Sequence, residues 1–454
     1  MRDLAFIGFL MALLGIGFRR PFVFVLAYVY VDIVSPQRLT YFLLNSVPIS
    51  LICFGLALVS WLAVDDKSKT RFTPRQGLML FLLLYCGATT MSADFPLEAL
   101  NKWAWVWKAL IFAIFLPFTL TTRLRIEALA LFMVLSAASI VIVGGIKTMA
   151  SGGGYGMLNL MLDNNSGLYE SSTIATVAIA IIPLILFLMK HGTVFPSEWR
   201  VTTFCLALCF SCFLIPIGTE ARTGLICIAV LGLLLLRRTK RRLTYVTLIA
   251  ALGFVSIPLL PDSFTNRMDT IKDYKADTSA STRIAVWSWT WDYVQKHPMG
   301  GGFDAYRQNT VRYESVKTET AGADSETTAV VIQDKARAYH SAYFEMLGEQ
   351  GFPGLILWLL IHGIGILRME VLQRRFSKRA PEDGAWIGHL ASALQNGHII
   401  YMIGSLFVGI AFQPFVYMLV GMQIGLDTYA SRINEAVKFV PMRKASPASS
   451  SQAV

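Results

Sequence analysis

The chain has 454 residues, 55% of them hydrophobic and only 15% charged, with a net charge of +11 and a mean hydropathy of +0.54. A charged fraction this far below the ~25% typical of soluble domains excludes a water-soluble enzyme built on one core and points to a polytopic membrane protein. The excess cations fall in short clusters between apolar runs, with no basic groove of interleaved aromatics; this excludes nucleic acid as a partner and fits the loop asymmetry of membrane proteins.

Apolar runs cover residues 4–17, 21–33, 47–64, 76–92, 103–120, 127–147, 170–189, 201–218, 223–236, 243–260, 352–367, 398–411 and 414–428. A span needs about 20 mostly apolar residues. The expected fold is therefore all-α, with about twelve transmembrane helices. The first two and last two runs are short, as in hairpins, broken helices or tilted helices. Met1-Arg2-Asp3 opens the first run and no small-residue cleavage site follows it, so this run is expected to be retained. Four basic clusters follow: Lys67, Lys69, Arg71 and Arg75; Arg123 and Arg125; Arg237, Arg238, Lys240, Arg241 and Arg242; and Arg374, Arg375, Lys378 and Arg379. Alternating spans put all four on one side, the cytoplasmic one. Arg19 and Arg20 join them only if the first run is a span of its own. Arg443 and Lys444 fall in a Ser/Ala/Pro tail, expected to be cytoplasmic and disordered.

This pattern divides the chain into an N-terminal transmembrane region (1–190), helices around an Arg-Thr-Gly segment (191–260), an outer loop with an amphipathic helix (261–340), C-terminal transmembrane helices (341–430) and the tail (431–454). The outer side also receives residues 148–169. In the long loop, residues 281–296 (STRIAVWSWTWDYVQK) open on a Ser/Thr cap and put Ile284, Trp287, Trp291 and Val294 on one helical face. Trp287, Trp289 and Trp291 suit the lipid headgroup level. HPMGGG (297–302) ends that helix and turns the chain. Residues 314–334 are acidic, rich in Thr and Ala, and expected to be mobile.

Chemistry concentrates at the outer boundary. Arg222 lies in GTEARTGL (218–225), a polar break between two apolar runs. A guanidinium beside a helix N-terminus makes an anion site suited to phosphate. The bland alternative is a salt bridge to Glu220 or a snorkelling side chain. Arg283, near the start of the Trp-rich helix, pairs with it as the second arm of a diphosphate clamp, or else meets lipid headgroups. Lys335 and Arg337 add charge, or are simply solvated. His340 sits where the outer loop meets the apolar run from Phe352, and a neutral imidazole there suits a general base. Alone it would more often be a structural histidine. If its segment is helical, His340, Phe344 and Leu347 share a face, with Tyr343 beside them; Glu345 and Glu349 fall elsewhere, in packing or orientation. The remaining histidines, His191, His297, His362, His389 and His398, sit in loops, at a helix end or in apolar packing.

Metal chemistry has little support. Asp163-Asn164-Asn165 reads better as an Asx turn, and Cys205, Cys209 and Cys212 share a helical face without a histidine or carboxylate. All six cysteines lie in apolar runs, so no disulfide framework is expected. No Walker lysine motif is present. Mid-membrane charge also looks scarce, Lys108 in WAWVWKALIF being the main exception.

Three stretches in order, TEARTGLICIAVLGLLLL (219–236), STRIAVWSWTWDYVQKHPMGGGFDAY (281–306) and AYHSAYFEMLGEQGFPGLILWLL (338–360), resemble the O-antigen ligase and polymerase superfamily of bacterial inner-membrane proteins. Gly-Gly-Gly stands where that family more often has Gly-x-Gly, and Ser341 where it more often has Asn. The N-terminal half, with MRDL and RRPFVFVLAYVYVDIVSPQRLTY, resembles O-glycosylation ligases found near exosortase systems. The resemblance implies a GT-C-like glycosyltransferase that needs no cofactor or metal. It implies inverting transfer of a glycan from undecaprenyl diphosphate to a hydroxyl of the lipid A core at the periplasmic face, amid membrane lipids. Carried over, Arg222 and Arg283 clamp the diphosphate, with Arg337 a third cation; His340 is the base, and Tyr343, Glu345 and Lys335 give support. A repeat-unit polymerase or protein O-glycosylation ligase would share the site. A transporter of lipid-linked glycan is the rival from another class, and needs charged groups along a path through the membrane.

Overall fold

The computed structural model describes residues 2–40, 43–44, 47–151, 168–237, 241–242, 244, 247, 278–321, 324–379 and 384–438. Most of the expected apolar run 243–260, the Asp163-Asn164-Asn165 turn and the tail from 439 lie outside them, as do most of the 148–169 segment and the start of the outer loop.

Helices dominate. α1 (Arg2–Arg19) and α2 (Phe22–Val34) are separate and antiparallel, with Phe9 against Tyr30 and Phe18 against Phe24. A one-turn α3 (Pro36–Leu39) leads to α4 (Ile49–Val64). Then come α5 (Pro74–Met91), α6 (Pro96–Thr119), α7 (Arg123–Ser151), α8 (Ser171–His191), α9 (Trp199–Gly218) and α10 (Arg222–Leu236). α11 (Thr278–Lys296), α12 (Ala342–Phe376), α13 (Ala385–Gly404) and α14 (Pro414–Lys438) are the remaining described helices. Local signals explain the starts. Thr73 and Gln76 form a reciprocal capping box ahead of Pro74, and the Glu170 carboxylate accepts the Thr173 N–H at 2.6 Å.

Five described helices, α6, α7, α8, α9 and α12, are long and apolar enough to cross a membrane; α2, α4 and α10 are apolar but shorter. The expected count of about twelve drew on thirteen apolar runs, one of which, 243–260, lies mostly outside the described residues. Boundaries shift where polar residues are packed inside. α12 begins at Ala342, not near 352, and α13 spans Ala385–Gly404 in place of 398–411, because Gln395, Asn396 and His398 are buried within it.

Contacts at the helix ends sort the bundle into two poles. At one, Arg125 bridges Asp65 at the end of α4, Arg123 donates to the His191 carbonyl, Arg237 pairs with Glu370, Arg379 reaches Asn434, and Arg432 donates to the Lys69 and Leu120 carbonyls. Members of all four basic clusters, Lys69, Arg125, Arg237 and Arg379 among them, lie there. The α1–α2 turn joins them, since the Arg125 guanidinium lies 5.2 Å from the Phe22 ring centroid; Arg19 and Arg20 thus fall at the basic pole because the first run is its own helix. The opposite pole holds α11 and the turns at Ala93–Phe95 and Ser405–Gln413.

Three expectations are corrected. Residues 314–321 and 324–334 belong to an antiparallel hairpin, β1 (Thr310–Ala321) and β2 (Asp324–Lys335), whose register pairs Thr310 with Lys335 and Ala321 with Asp324. Cross-strand pairing orders a segment whose composition reads as mobile, so among the described residues the fold is all-α apart from this hairpin. On α11 the buried face is Val286, Thr290, Tyr293 and Val294, while Ile284 and Trp291 are exposed. Polar groups also run deep in the bundle. Arg75 Nη2 donates to Gln423 Oε1 at 3.0 Å, Gln423 Nε2 to His398 Nδ1 at 3.0 Å, and His398 Nε2 shares a 2.8 Å hydrogen bond with His362 Nδ1. All four side chains are buried, and they come from four helices. Removing one member strands its neighbours. Gln423→Leu is expected to destabilise the purified protein by about 3 kcal/mol, because a buried guanidinium loses its acceptor. Thermal unfolding in detergent checks this; an unchanged midpoint would contradict it.

Candidate functional site

The loop after α11 and the middle of α12 interlock. Gly351 has φ +63 and breaks α12 ahead of Pro353, which frees carbonyls in the preceding turn. The loop amides take them up: Gly301 N–H donates to Gly348 O at 3.1 Å and Gly302 N–H to Glu349 O at 2.9 Å. In return, Phe352 N–H donates to Pro298 O at 3.0 Å. Two of the sequence motifs are thus halves of one joint. A Cβ at Gly300, itself at φ +80, would lie 2.5 Å from Glu349 O; one at Gly351 would lie 2.1 Å from Pro298 O. Gly351→Ala is therefore expected to disrupt the joint, with large losses of thermal stability and activity. Gly363→Ala, on the same helix with nothing within 4 Å of the new Cβ, is expected to be neutral. Equal behaviour of the two variants in thermal unfolding would contradict the interlock.

The joint sets carboxylates over a lysine. Lys102 Nζ lies 2.6 Å from Glu345 Oε1 and 2.8 Å from Glu349 Oε1. Asp304 N–H donates to Glu349 Oε1 and Ala411 N–H to Glu345 Oε2, each at 3.0 Å. The Phe303 and Phe412 rings flank the ammonium, with centroids at 5.5 and 5.8 Å. Above them opens a cavity of about 410 Å³, to whose wall Glu98, Glu170, Tyr306, Arg307, Tyr339 and His340 also contribute.

His340 precedes α12 and is not helical: its φ is +48, in the left-handed region that non-glycine residues avoid. This corrects the shared face with Phe344 and Leu347. Its neighbours hold the backbone in place. Trp287 Nε1 donates to Tyr339 O at 2.9 Å, and Trp287 stacks on Phe344. Ala342 N–H donates to Ser405 O at 2.8 Å. Asn309 clamps the Arg337 backbone, accepting its N–H at 3.0 Å and donating to its carbonyl at 2.7 Å. Asp304, at φ +60, is a second left-handed residue at the cavity. The His340 ring is exposed at the wall, yet protein packed around its other sides lowers its pKa below the ordinary imidazole value. Arg283 lowers it further, Glu170 opposes, and Arg337 adds a smaller lowering. The ring is thus held in its neutral, proton-accepting form.

The structure therefore brings Arg283 and Arg337 within electrostatic reach of His340, and Glu345 into the cavity beneath. The Arg337 guanidinium also pairs with Asp334 at 2.8 Å. Lys335 is exposed at the end of β2, away from the cavity wall. Tyr343 is engaged in packing: its hydroxyl donates to Met402 O at 3.1 Å and its ring meets Trp358 edge-on. Arg222 is the first residue of α10 and does not line the cavity. Its helix start packs at the site pole, where Gly224 lies against Ala175 of α8 and Cys227 Sγ donates to Ile400 O of α13. Among the described residues no group of three or more His, Cys, Asp or Glu is arranged to hold a metal, and all six cysteines are free and buried.

Sequence reading missed Lys102, Asp304, Glu98, Glu170 and Arg307, and set Glu349 aside. The available signal was spacing. Glu98 and Lys102, like Glu345 and Glu349, stand four apart on helices and so share a face.

Residues 206–359 match the model of a family described as O-antigen ligase, and residues 1–193 match that of a family of unknown function. No curated relative matches the chain.

Proposed function

We propose that the chain, whose residues 206–359 match the O-antigen ligase family, transfers a glycan from undecaprenyl diphosphate to a hydroxyl of the lipid A core at the periplasmic face of the inner membrane. The observation that carries this reading is His340 itself, a neutral imidazole at the wall of a polar cavity with two arginines acting on it. The acceptor oxygen attacks the anomeric carbon and its proton passes to His340. The bond from that carbon to the diphosphate breaks, its electron pair leaves with the lipid diphosphate, and the configuration inverts. Arg222 and Arg283 meet the developing charge, with Arg337 a third cation; fixed cations in a water-poor site stabilise such a leaving group strongly. The scaffold is a polytopic glycosyltransferase of the GT-C class. The basic pole faces the cytoplasm, which leaves the cavity outside.

The test is transfer by purified protein from a glycan on undecaprenyl diphosphate to lipid A core, in detergent, with EDTA and no ion gradient. Product is expected. Strong inhibition by EDTA would overturn the metal-free chemistry. No product without a gradient would favour transport, a distinction made sharper by the Arg75–Gln423–His398–His362 chain. In cells, a deletion that leaves long unligated glycan on its carrier marks a ligase, whereas single attached units mark a polymerase.

A further inference from the structure

Among the described residues the cavity wall carries five carboxyl groups, Glu98, Glu170, Asp304, Glu345 and Glu349, against two cations, Lys102 and Arg307. Both cations are committed. Lys102 is bracketed by Glu345 and Glu349 at 2.6 and 2.8 Å. Arg307 lies between Glu98 and Asp304, at 3.9 and 3.7 Å. Glu170 adds a further carboxylate at the start of α8, where it caps Thr173. Arg283 and Arg337 act on His340 but do not belong to this wall. The cavity is therefore a poor place for a diphosphate, which would meet unbalanced carboxylates at close range. Its other lining is aromatic: Trp105, Tyr306, Tyr339 and Phe412. Carboxylate oxygens accept from hydroxyl and ammonium groups, and ring faces cover C–H surfaces. Together they fit the two kinds of surface that a pyranose presents.

From this juxtaposition of excess carboxylates, rings and His340 we infer that the cavity is the acceptor subsite, and that it takes a neutral or amine-bearing sugar and rejects a phosphorylated or carboxylated one. The word acceptor rests on the glycan-transfer reading; the selection by charge does not. The lipid diphosphate then belongs on the arginine side of His340, so the imidazole stands between donor and acceptor. Selection by a field of one sign weakens with salt.

The experiment is isothermal titration of the full-length protein, in nanodiscs of zwitterionic lipid, with trisaccharides of glucosamine, N-acetylglucosamine and galacturonic acid. At low salt the glucosamine trisaccharide is expected to bind tightest and the neutral one next. The galacturonate trisaccharide is expected to bind at least tenfold more weakly than the neutral one, and the gap should narrow in high salt. In a Glu98→Gln, Glu170→Gln double variant the gap should also narrow. Galacturonate binding as tightly as the neutral sugar would overturn the inference. So would the failure of all three to bind at about 10 mM, a concentration that detects even affinities weaker than the ~4 kcal/mol of a millimolar site. No donor lipid is present, so the charge selection can fail while His340-dependent transfer stands, and the reverse.

Discussion

A His340→Ala protein is expected to fold, to bind the lipid-linked donor and to transfer glycan about 10²–10⁴-fold more slowly than the unaltered chain, the range a positioned general base supplies. Folding should survive because the ring is exposed at the cavity wall and fills no core. Loss of the side chain even relieves nothing structural on its partners, since Trp287 holds the neighbouring Tyr339 carbonyl and Ser405 holds the Ala342 amide. Donor binding should survive because the cations assigned to the diphosphate are elsewhere. A single-turnover assay with purified protein measures the loss. A rate within threefold of the unaltered protein would show that another group takes the proton. His340→Gly adds a control, because glycine adopts φ +48 without strain. It should be as inactive as the alanine variant if the imidazole matters, and as active as the original if only the backbone does.

Lys102→Met is expected to have the largest effect on stability. It leaves Glu345 and Glu349 facing each other without their shared cation, and their side chains are only 9% and 0% exposed. Breaking a buried ion pair by removing one partner costs about 3–5 kcal/mol, because the remaining charge is buried uncompensated. The unfolding midpoint in detergent should fall accordingly, and activity with it, since Glu349 also holds the Asp304 amide at the cavity. Adding Glu345→Gln and Glu349→Gln removes the stranded charges and should restore part of the stability. A single variant as stable as the original, or a triple variant no better than the single one, would contradict a structural triad.

Much of this architecture was legible from sequence. The apolar runs announce a helical membrane protein, and the basic clusters do fall at one pole. The Arg-Trp-rich helix, the glycine turn and the His-Glu-Gly segment do meet in space. What escaped was non-local. Lys102 reads as the flank of an apolar run, because its partners lie more than 240 residues away. Arg75 reads as one more loop cation, yet its hydrogen-bond acceptor is 348 residues on. The hairpin reads as mobile on composition, although Thr, Val, Tyr and Ile around 310–313 and 327–332 are strand formers. His340 was singled out for its position at a boundary; its left-handed backbone belongs to the loop contacts that surround it and has no signature in the chain.

The central claim is that His340 acts as the base in an electrostatic field set by named neighbours. The pH dependence of kcat/KM for transfer tests it most directly, in the unaltered protein, in Arg283→Ala and in Glu170→Gln. Burial and Arg283 lower the imidazole pKa, so the acid limb of the original should lie below pH ~6.5, the ordinary imidazole value. Removing the Arg283 charge should move that limb to higher pH, and removing the Glu170 charge should move it to lower pH. Limbs that coincide in all three proteins, or that move in the opposite directions, would contradict the account.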